Sequence, residues 1–192
     1  GNLLGSEQSG HIAAIGYEMY CKLLEQEARK LRQEQVHEPA KTHLELPVHG
    51  RIPPKYIPGE KHRMDAYRRL SRAVTLEDLE SVVRDLTDAY SEPPTPMQTL
   101  IDLTELRIAA STLAIDSIKL DGPDVIFRTR QPQNLEAAMK DAAGRTSLID
   151  ERTVYFRPPP SYLEAPTLLA VLRKLLVTPV RRGILPVPSA ES

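Results

Sequence analysis

The stretch from Thr95 to Leu113 constrains the fold most. Pro93, Pro94 and Pro96 stop one element and start the next. Met97, Leu100, Ile101, Leu103, Leu106, Ile108, Ala110 and Leu113 then cover much of a helical circumference. A helix with so little polar surface has few sides to leave in water, so it should be central. The opening of the chain sets a second condition. With about 100° of turn per residue, Ala13, Tyr17, Tyr20, Leu24, Ala28 and Leu31 share one stripe, while Ile12, Ile15, Met19 and Leu23 share another. Past Leu24 the second stripe turns polar at Gln26, Lys30 and Gln33. The spacing predicts a helix over about residues 9–35, capped by Ser9, with two apolar neighbours along its first half and one along its second. The glycine-punctuated loop ahead of it (Gly1, Gly5, Gly10) offers little as the second neighbour. The expectation is therefore a piece trimmed from a larger protein.

The other elements follow from local signals. His37-Glu38-Pro39 should end the first helix, because the residue before proline avoids αR. In Thr42–His49, Leu44, Leu46 and Val48 alternate with His43, Glu45 and His49, which predicts a strand; Pro47 makes it an edge. A proline-rich connection, Ile52–Gly59, leads to a helix at Glu60–Arg72 with Met64, Tyr67 and Leu70 inward. Thr75 with Asp78 forms a capping box for a helix over Leu76–Tyr90. After the central helix, strands are expected at Ser117–Leu120 and Val125–Arg130 around an Asp121-Gly122-Pro123-Asp124 turn. A helix over Asn134–Ala143 should end at Gly144, a strand should occupy Thr153–Arg157, and a last helix should run from about Pro166 to Val177. The order gives an α+β fold: a small mixed or antiparallel sheet of about four strands packed with about six helices, preceded by the long first helix. Residues 1–36 would form the connecting helix, 37–177 the domain proper, and 178–192, which lack periodicity, a flexible tail.

Composition excludes several functions. The chain has 192 residues, enough to bury roughly 70% of its unfolded surface. Lys and Arg number 25 against 26 Asp and Glu, so no global field draws it to nucleic acid or a membrane. Cys21 stands alone, which excludes an internal disulfide, and it reads as a small buried residue. No apolar run reaches membrane-spanning length and no signal peptide opens the chain, which predicts a cytoplasmic protein.

Several clusters invite chemical readings. The glycine loop matches neither phosphate-binding spacing and lacks a lysine, so nucleotide binding is not expected of it. His37, His43 and His49 are six apart, whereas ligands on a strand usually sit two apart; surface histidines are the better reading, and no metal site is expected. Arg63, Arg68, Arg69 and Arg72 form a basic cluster that could contact phosphate; for Arg69 and Arg72 the better reading is that they are solvated or paired with carboxylates of the following helix. No catalytic residues are expected, since Asp121 and Asp124 sit where a turn wants aspartate. Asp78, Ser81, Asp85 and Asp88 share the polar face of the Leu76–Tyr90 helix, either as a solvated face or as a patch for a basic partner.

Three ordered segments carry a family resemblance. Gly1–Leu24 resembles the segment that leaves the second motor domain of bacterial transcription-repair coupling factors. Within it, Gly1, Gly5, Gln8 and Gly10 match the translocation motif shared with RecG-type helicases, R-G-x-G-x-x-x-G-x-x-Q-x-G, without its leading arginine-glycine pair. Tyr56–Ala73 (YIPGEKHRMDAYRRLSRA) resembles the family's Y-I-P-D-x-x-x-R-L-x-x-Y-R-R-L-x-x-A. Asp78–Pro94 (DLESVVRDLTDAYSEPP) resembles E-L-x-x-L-x-x-E-L-x-D-R-F-G-P-L-P, with Ala89 at the pattern's arginine and Ser91 at its glycine.

The resemblance implies a C-terminal regulatory domain of an ATP-dependent DNA translocase that removes stalled RNA polymerase and recruits excision repair. ATP, Mg and duplex DNA would belong to the motor of the parent, and Gln8 would couple ATP hydrolysis to stepping. The piece itself would be non-catalytic and without a cofactor. It would dock on the N-terminal module that recruits UvrA, through Asp85 and Asp88. Two other readings stay open: a stand-alone nucleic-acid-binding protein using the Arg63–Arg72 helix, and a small hydrolase.

Overall fold

The structure is a computed structural model, and it describes residues 42–189. The long first helix and the glycine loop lie outside the described residues. Those described fall into two compact units, residues 49–104 and residues 42–48 with 105–189.

In the first unit, α1 (Glu60–Arg72) and α2 (Leu76–Tyr90) have the bounds expected from the sequence, and a capping box starts α2. Gly59, at φ +93°, turns the chain into α1, and extended backbone at Ala73 ends it. Thr75 Oγ1 accepts from the Asp78 backbone N–H at 3.0 Å, while Asp78 Oδ2 accepts from the N–H groups of Thr75 and Val74 at 3.1 and 3.2 Å. Met64, Tyr67 and Leu70 of α1 are buried, as are Leu76, Leu79, Val82 and Leu86 of α2. Burial of each such side chain stabilises the fold by roughly 1.5–3 kcal/mol.

The proline-rich connection buries Ile52, Tyr56 and Ile57, and the polar groups around them find partners. The Arg51 N–H donates to the Pro96 carbonyl, and the Ile52 N–H donates to Tyr67 Oη at 2.9 Å. Arg63 Nη1 donates to the Ile57 carbonyl at 2.9 Å. Gly50 passes so close to Leu100 that a Cβ there would lie 2.4 Å from the Leu100 nitrogen. Only glycine fits that approach.

Helix α3 (Thr95–Thr112) is the stretch singled out above as central, and its burial agrees. Met97, Leu100, Leu106, Ala109 and Ala110 are fully buried, with Ile101, Leu103 and Ile108 nearly so. Its polar Thr104 is also buried and returns its hydroxyl to the Leu100 carbonyl at 2.8 Å. Ala114 then adopts φ +59°, the left-handed conformation that ends many helices.

The second unit is built on a five-stranded sheet in the order β1-β2-β3-β5-β4. Its strands are β1 (His43–Glu45), β2 (Ile115–Asp121), β3 (Asp124–Thr129), β4 (Arg145–Asp150) and β5 (Thr153–Arg157). β1 runs parallel to β2, and the other neighbours are antiparallel. The α+β class therefore holds, with a mixed sheet. β1 is an edge, as expected, but it stops at Glu45, two residues before Pro47, instead of running to His49. Gly122 at φ +59° and Pro123 form the two-residue β2–β3 turn. Leu44, Ile118, Val125, Phe127, Val154 and Phe156 are buried on one side of the sheet.

Three expectations for this unit need correction. β4 is a fifth strand where none was expected. Helix α4 (Pro132–Met139) ends well before Gly144, so that glycine does not cap it. At φ +110°, Gly144 instead lies against β5, where a Cβ would meet the Arg157 carbonyl oxygen. Finally, the last helix does not stop at Val177. α5 (Ala165–Leu172) widens into a π-helical stretch, Arg173–Val177, and continues as α6 (Thr178–Arg181). Pro179 has no N–H and its ring crowds the carbonyl four residues back, a conflict that a wider turn relieves.

Nor do the residues after Val177 form a free tail up to Val187. Leu185 is buried, and the Val187 N–H donates to Oδ1 of the fully buried Asn134 at 2.9 Å, whose Nδ2 donates to the Leu113 carbonyl. Arg173 and Arg181 both reach Glu105 Oε2, at 3.2 and 3.3 Å, and so tie the end of the chain to α3.

Candidate docking face

The acidic face of α2 is stated by its sequence and shaped by its neighbours. The buried stripe of Leu76, Leu79, Val82 and Leu86 turns Asp78, Ser81, Asp85 and Asp88 outward, and all four are exposed. They do three different jobs. Asp78 spends its carboxylate on the helix start, and the backbone N–H groups of Thr75 and Val74 hold its pKa below the usual value. Asp85 accepts from Arg69 Nη2 of α1 at 2.5 Å, with both side chains about half exposed. Asp88, one turn further on, has no side-chain partner among the described residues.

The end of the same helix explains one departure from the family pattern. Ser91 stands at φ +88° and ψ −177°, a region that only glycine enters without cost. It is held there by its own N–H on the Thr87 carbonyl and by Tyr56 Oη, which donates to its carbonyl at 2.7 Å. The Tyr56 ring also packs against Tyr90, with centroids 6.0 Å apart. A serine thus occupies a glycine position through a hydrogen bond supplied from the Tyr56 segment.

The basic cluster of α1 is dispersed by the fold. Arg63 is buried under its bond to Ile57, Arg68 pairs with Asp65 at 3.3 Å, and Arg69 pairs with Asp85. Pairing of Arg69 with the following helix is one of the readings its sequence allows, whereas nothing in the sequence announces the burial of Arg63. His43 Nε2 lies 3.1 Å from Glu45 Oε1, and His49 is exposed. No group of three or more His, Cys, Asp or Glu among the described residues is arranged to hold a metal. Gly1, Gly5, Gln8, Gly10 and His37 lie outside the described residues.

One concave place was missed by sequence reasoning. Asp124, Arg145, Ser147, Ile149, Tyr155 and Arg157 line a notch of about 170 Å³ on the β3-β5-β4 side of the sheet. Arg157 grips Asp124 through Nε and Nη2, at 2.9 and 3.0 Å, and holds that carboxyl below its ordinary pKa. With its single carboxylate so engaged, the notch offers no acid–base pair for hydrolysis. The segment Arg145-Thr-Ser-Leu-Ile-Asp150 has no apolar–polar alternation that could have announced it.

With this geometry in place, known proteins can be compared. Residues 46–140 match the family model of the TRCF domain. The chain carries a TRCF domain. The transcription-repair-coupling factor of Escherichia coli is 36% identical over 127 residues, covering 64% of this chain and 11% of that protein. Its counterpart in Mycobacterium bovis is 34% identical over 119 residues, with 56% and 10% covered. That of Myxococcus xanthus is 31% identical over 180 residues, with 79% and 15% covered. The chain thus spans a tenth to a seventh of these relatives' length. A crystal structure of the C-terminal domain of transcription-repair coupling factor shares the fold: TM-score 0.57, 14% identity, 71% of this chain and 93% of that one. The TRCF domain match takes in α1 and α2 whole, and with them Asp85 and Asp88. Among the described residues, no helix is long and apolar enough to cross a membrane.

Proposed function

We propose that this chain is the C-terminal regulatory part of a transcription-repair coupling factor and acts by docking. In the parent, an ATP-dependent translocase on duplex DNA, the α2 face would rest on the N-terminal module and cover the surface that recruits UvrA. Engagement with stalled RNA polymerase would then release it. ATP hydrolysis with magnesium is assigned to the motor of the parent, coupled through Gln8 and its glycines, and the docking step uses neither. The observation that carries the reading is the placement of Asp88: inside the TRCF domain match, exposed, and without a partner among the described residues. A carboxylate in that position can meet a cation on a partner without first breaking an internal pair.

The nucleic-acid reading is disfavoured by geometry, because Arg63, Arg68 and Arg69 are already engaged and only Arg72 of the four is exposed without a partner among the described residues. The test is Asp85→Lys with Asp88→Lys in the full-length protein, read as affinity for UvrA. Stronger UvrA binding is expected; unchanged affinity defeats the docking assignment.

A further inference from the structure

The two edges of the sheet are treated differently. β1 is three residues long, is followed by Pro47, and carries a charged rim in which Glu45 meets His43 and Lys119. Natural edges are protected in this way against stray strand pairing. β4 is six residues long and contains neither lysine nor proline. Five of its six residues are exposed, and Leu148 and Ile149 are 53% and 54% exposed. Its register with β5 is regular from Arg145 to Leu148, and the irregularity comes only after Leu148. Every second residue of such an edge directs its N–H and C=O away from the sheet.

Charge at this edge is also unbalanced. Arg145 stands directly opposite Arg157, and like charges facing each other across strands are unfavourable. Asp124 neutralises Arg157, which leaves the Arg145 guanidinium with no partner among the described residues. Both arginines, with Ser147 and Tyr155, line the notch described above. This edge lies beyond the residues that match the TRCF domain model, 46–140.

We infer that β4 is a docking edge for an extended protein segment that adds a sixth strand to the sheet. The segment carries a carboxylate opposite Arg145 and apolar side chains beside Leu148 and Ile149. Main-chain bonds to this edge, which no other strand among the described residues pairs, supply attachment, and the carboxylate fixes register by entering the notch. The inference does not depend on the α2 face.

The test uses the whole 192-residue chain. The probes are short capped peptides alternating valine and threonine, with one glutamate moved along the series. Amide NMR shifts confined to residues 145–150 are expected, with the tightest binding when glutamate lies opposite Arg145. Arg145→Glu, at an exposed position where it also replaces a like charge opposite Arg157, should weaken that peptide about tenfold or more. A peptide with lysine in place of the glutamate should restore binding to that variant. Absence of β4 shifts with every peptide overturns the inference, as does binding indifferent to Arg145→Glu. Concentration-dependent dimerisation that Leu148→Lys abolishes also overturns it, because the edge would then serve a second copy.

Discussion

Tyr56 donates its phenolic hydrogen to the carbonyl of Ser91 across 2.7 Å, and Ser91 is a non-glycine residue at φ +88°. The two positions are 35 residues apart, yet both fall in segments that resemble the same family. The bond holds the last turn of α2, and with it Asp88, in one orientation.

The backbone at Ser91 costs of order 1–3 kcal/mol as serine. Glycine removes that strain but returns about 0.5–1 kcal/mol through its freer unfolded state. Ser91→Gly should therefore stabilise the fold by about 1 kcal/mol, read as a higher urea midpoint with an unchanged slope. Lower stability would mean that the Ser91 side chain contributes something beyond its backbone.

The capping box makes stability depend on acid. Bonds from the Thr75 and Val74 N–H groups hold the Asp78 pKa below its ordinary value in the folded state. At neutral pH the carboxylate is ionised in both states, so its contribution is fully present. It is lost as pH falls below the unfolded value and through the folded one. Asp78→Asn should remove that part of the acid dependence. Thr75→Ala should cost about 1 kcal/mol at neutral pH. Denaturation curves between neutral pH and the acid limit check both.

Gly50 is the strictest packing position. A methyl group there meets the backbone of Leu100 within the buried helix α3, where no flexible side chain can yield. Gly50→Ala should destabilise by about 3 kcal/mol, the upper end for overpacking. Thermal melting of the variant measures it. A cost below half of that would show that α3 can shift.

Glu105 is buried, and it serves Arg173 and Arg181 together. The two arginine side chains are 32% and 37% exposed, so solvent screens part of the attraction. Glu105→Gln keeps the shape and leaves two cations facing a neutral amide. A loss of about 2 kcal/mol is expected, with faster amide exchange at residues 178–187. Unchanged exchange there would separate α6 from this contact.

The readable parts of the sequence were those governed by neighbouring residues. Thr75 with Asp78 and the inward spacing of Met64, Tyr67 and Leu70 each state a local rule that the fold obeys, and Pro47 marks where the edge strand is already over. The nearly all-apolar Thr95–Leu113 stretch likewise stated its own burial. What could not be read depended on distant partners. β4 has one adjacent apolar pair, Leu148-Ile149, and no alternation, and Gly144 looked like a helix cap because its true neighbour is the Arg157 carbonyl. Arg63 looked like part of a basic face because nothing local announces the Ile57 carbonyl that receives it. The segment after Val177 looked unstructured for the same reason: its anchors, Glu105 and Asn134, lie far back in the chain. For the candidate face, the pattern named Asp85 and Asp88 together, and only the fold distinguishes the one held by Arg69 from the one left open.

The docking claim is tested most directly in trans, by titrating this chain against the isolated UvrA-binding module and then adding UvrA. The expected result is binding that UvrA displaces competitively, with Asp88→Lys abolishing the competition while leaving the melting temperature unchanged. A ternary complex in which UvrA and this chain occupy the module together, or competition that survives Asp88→Lys, would contradict it.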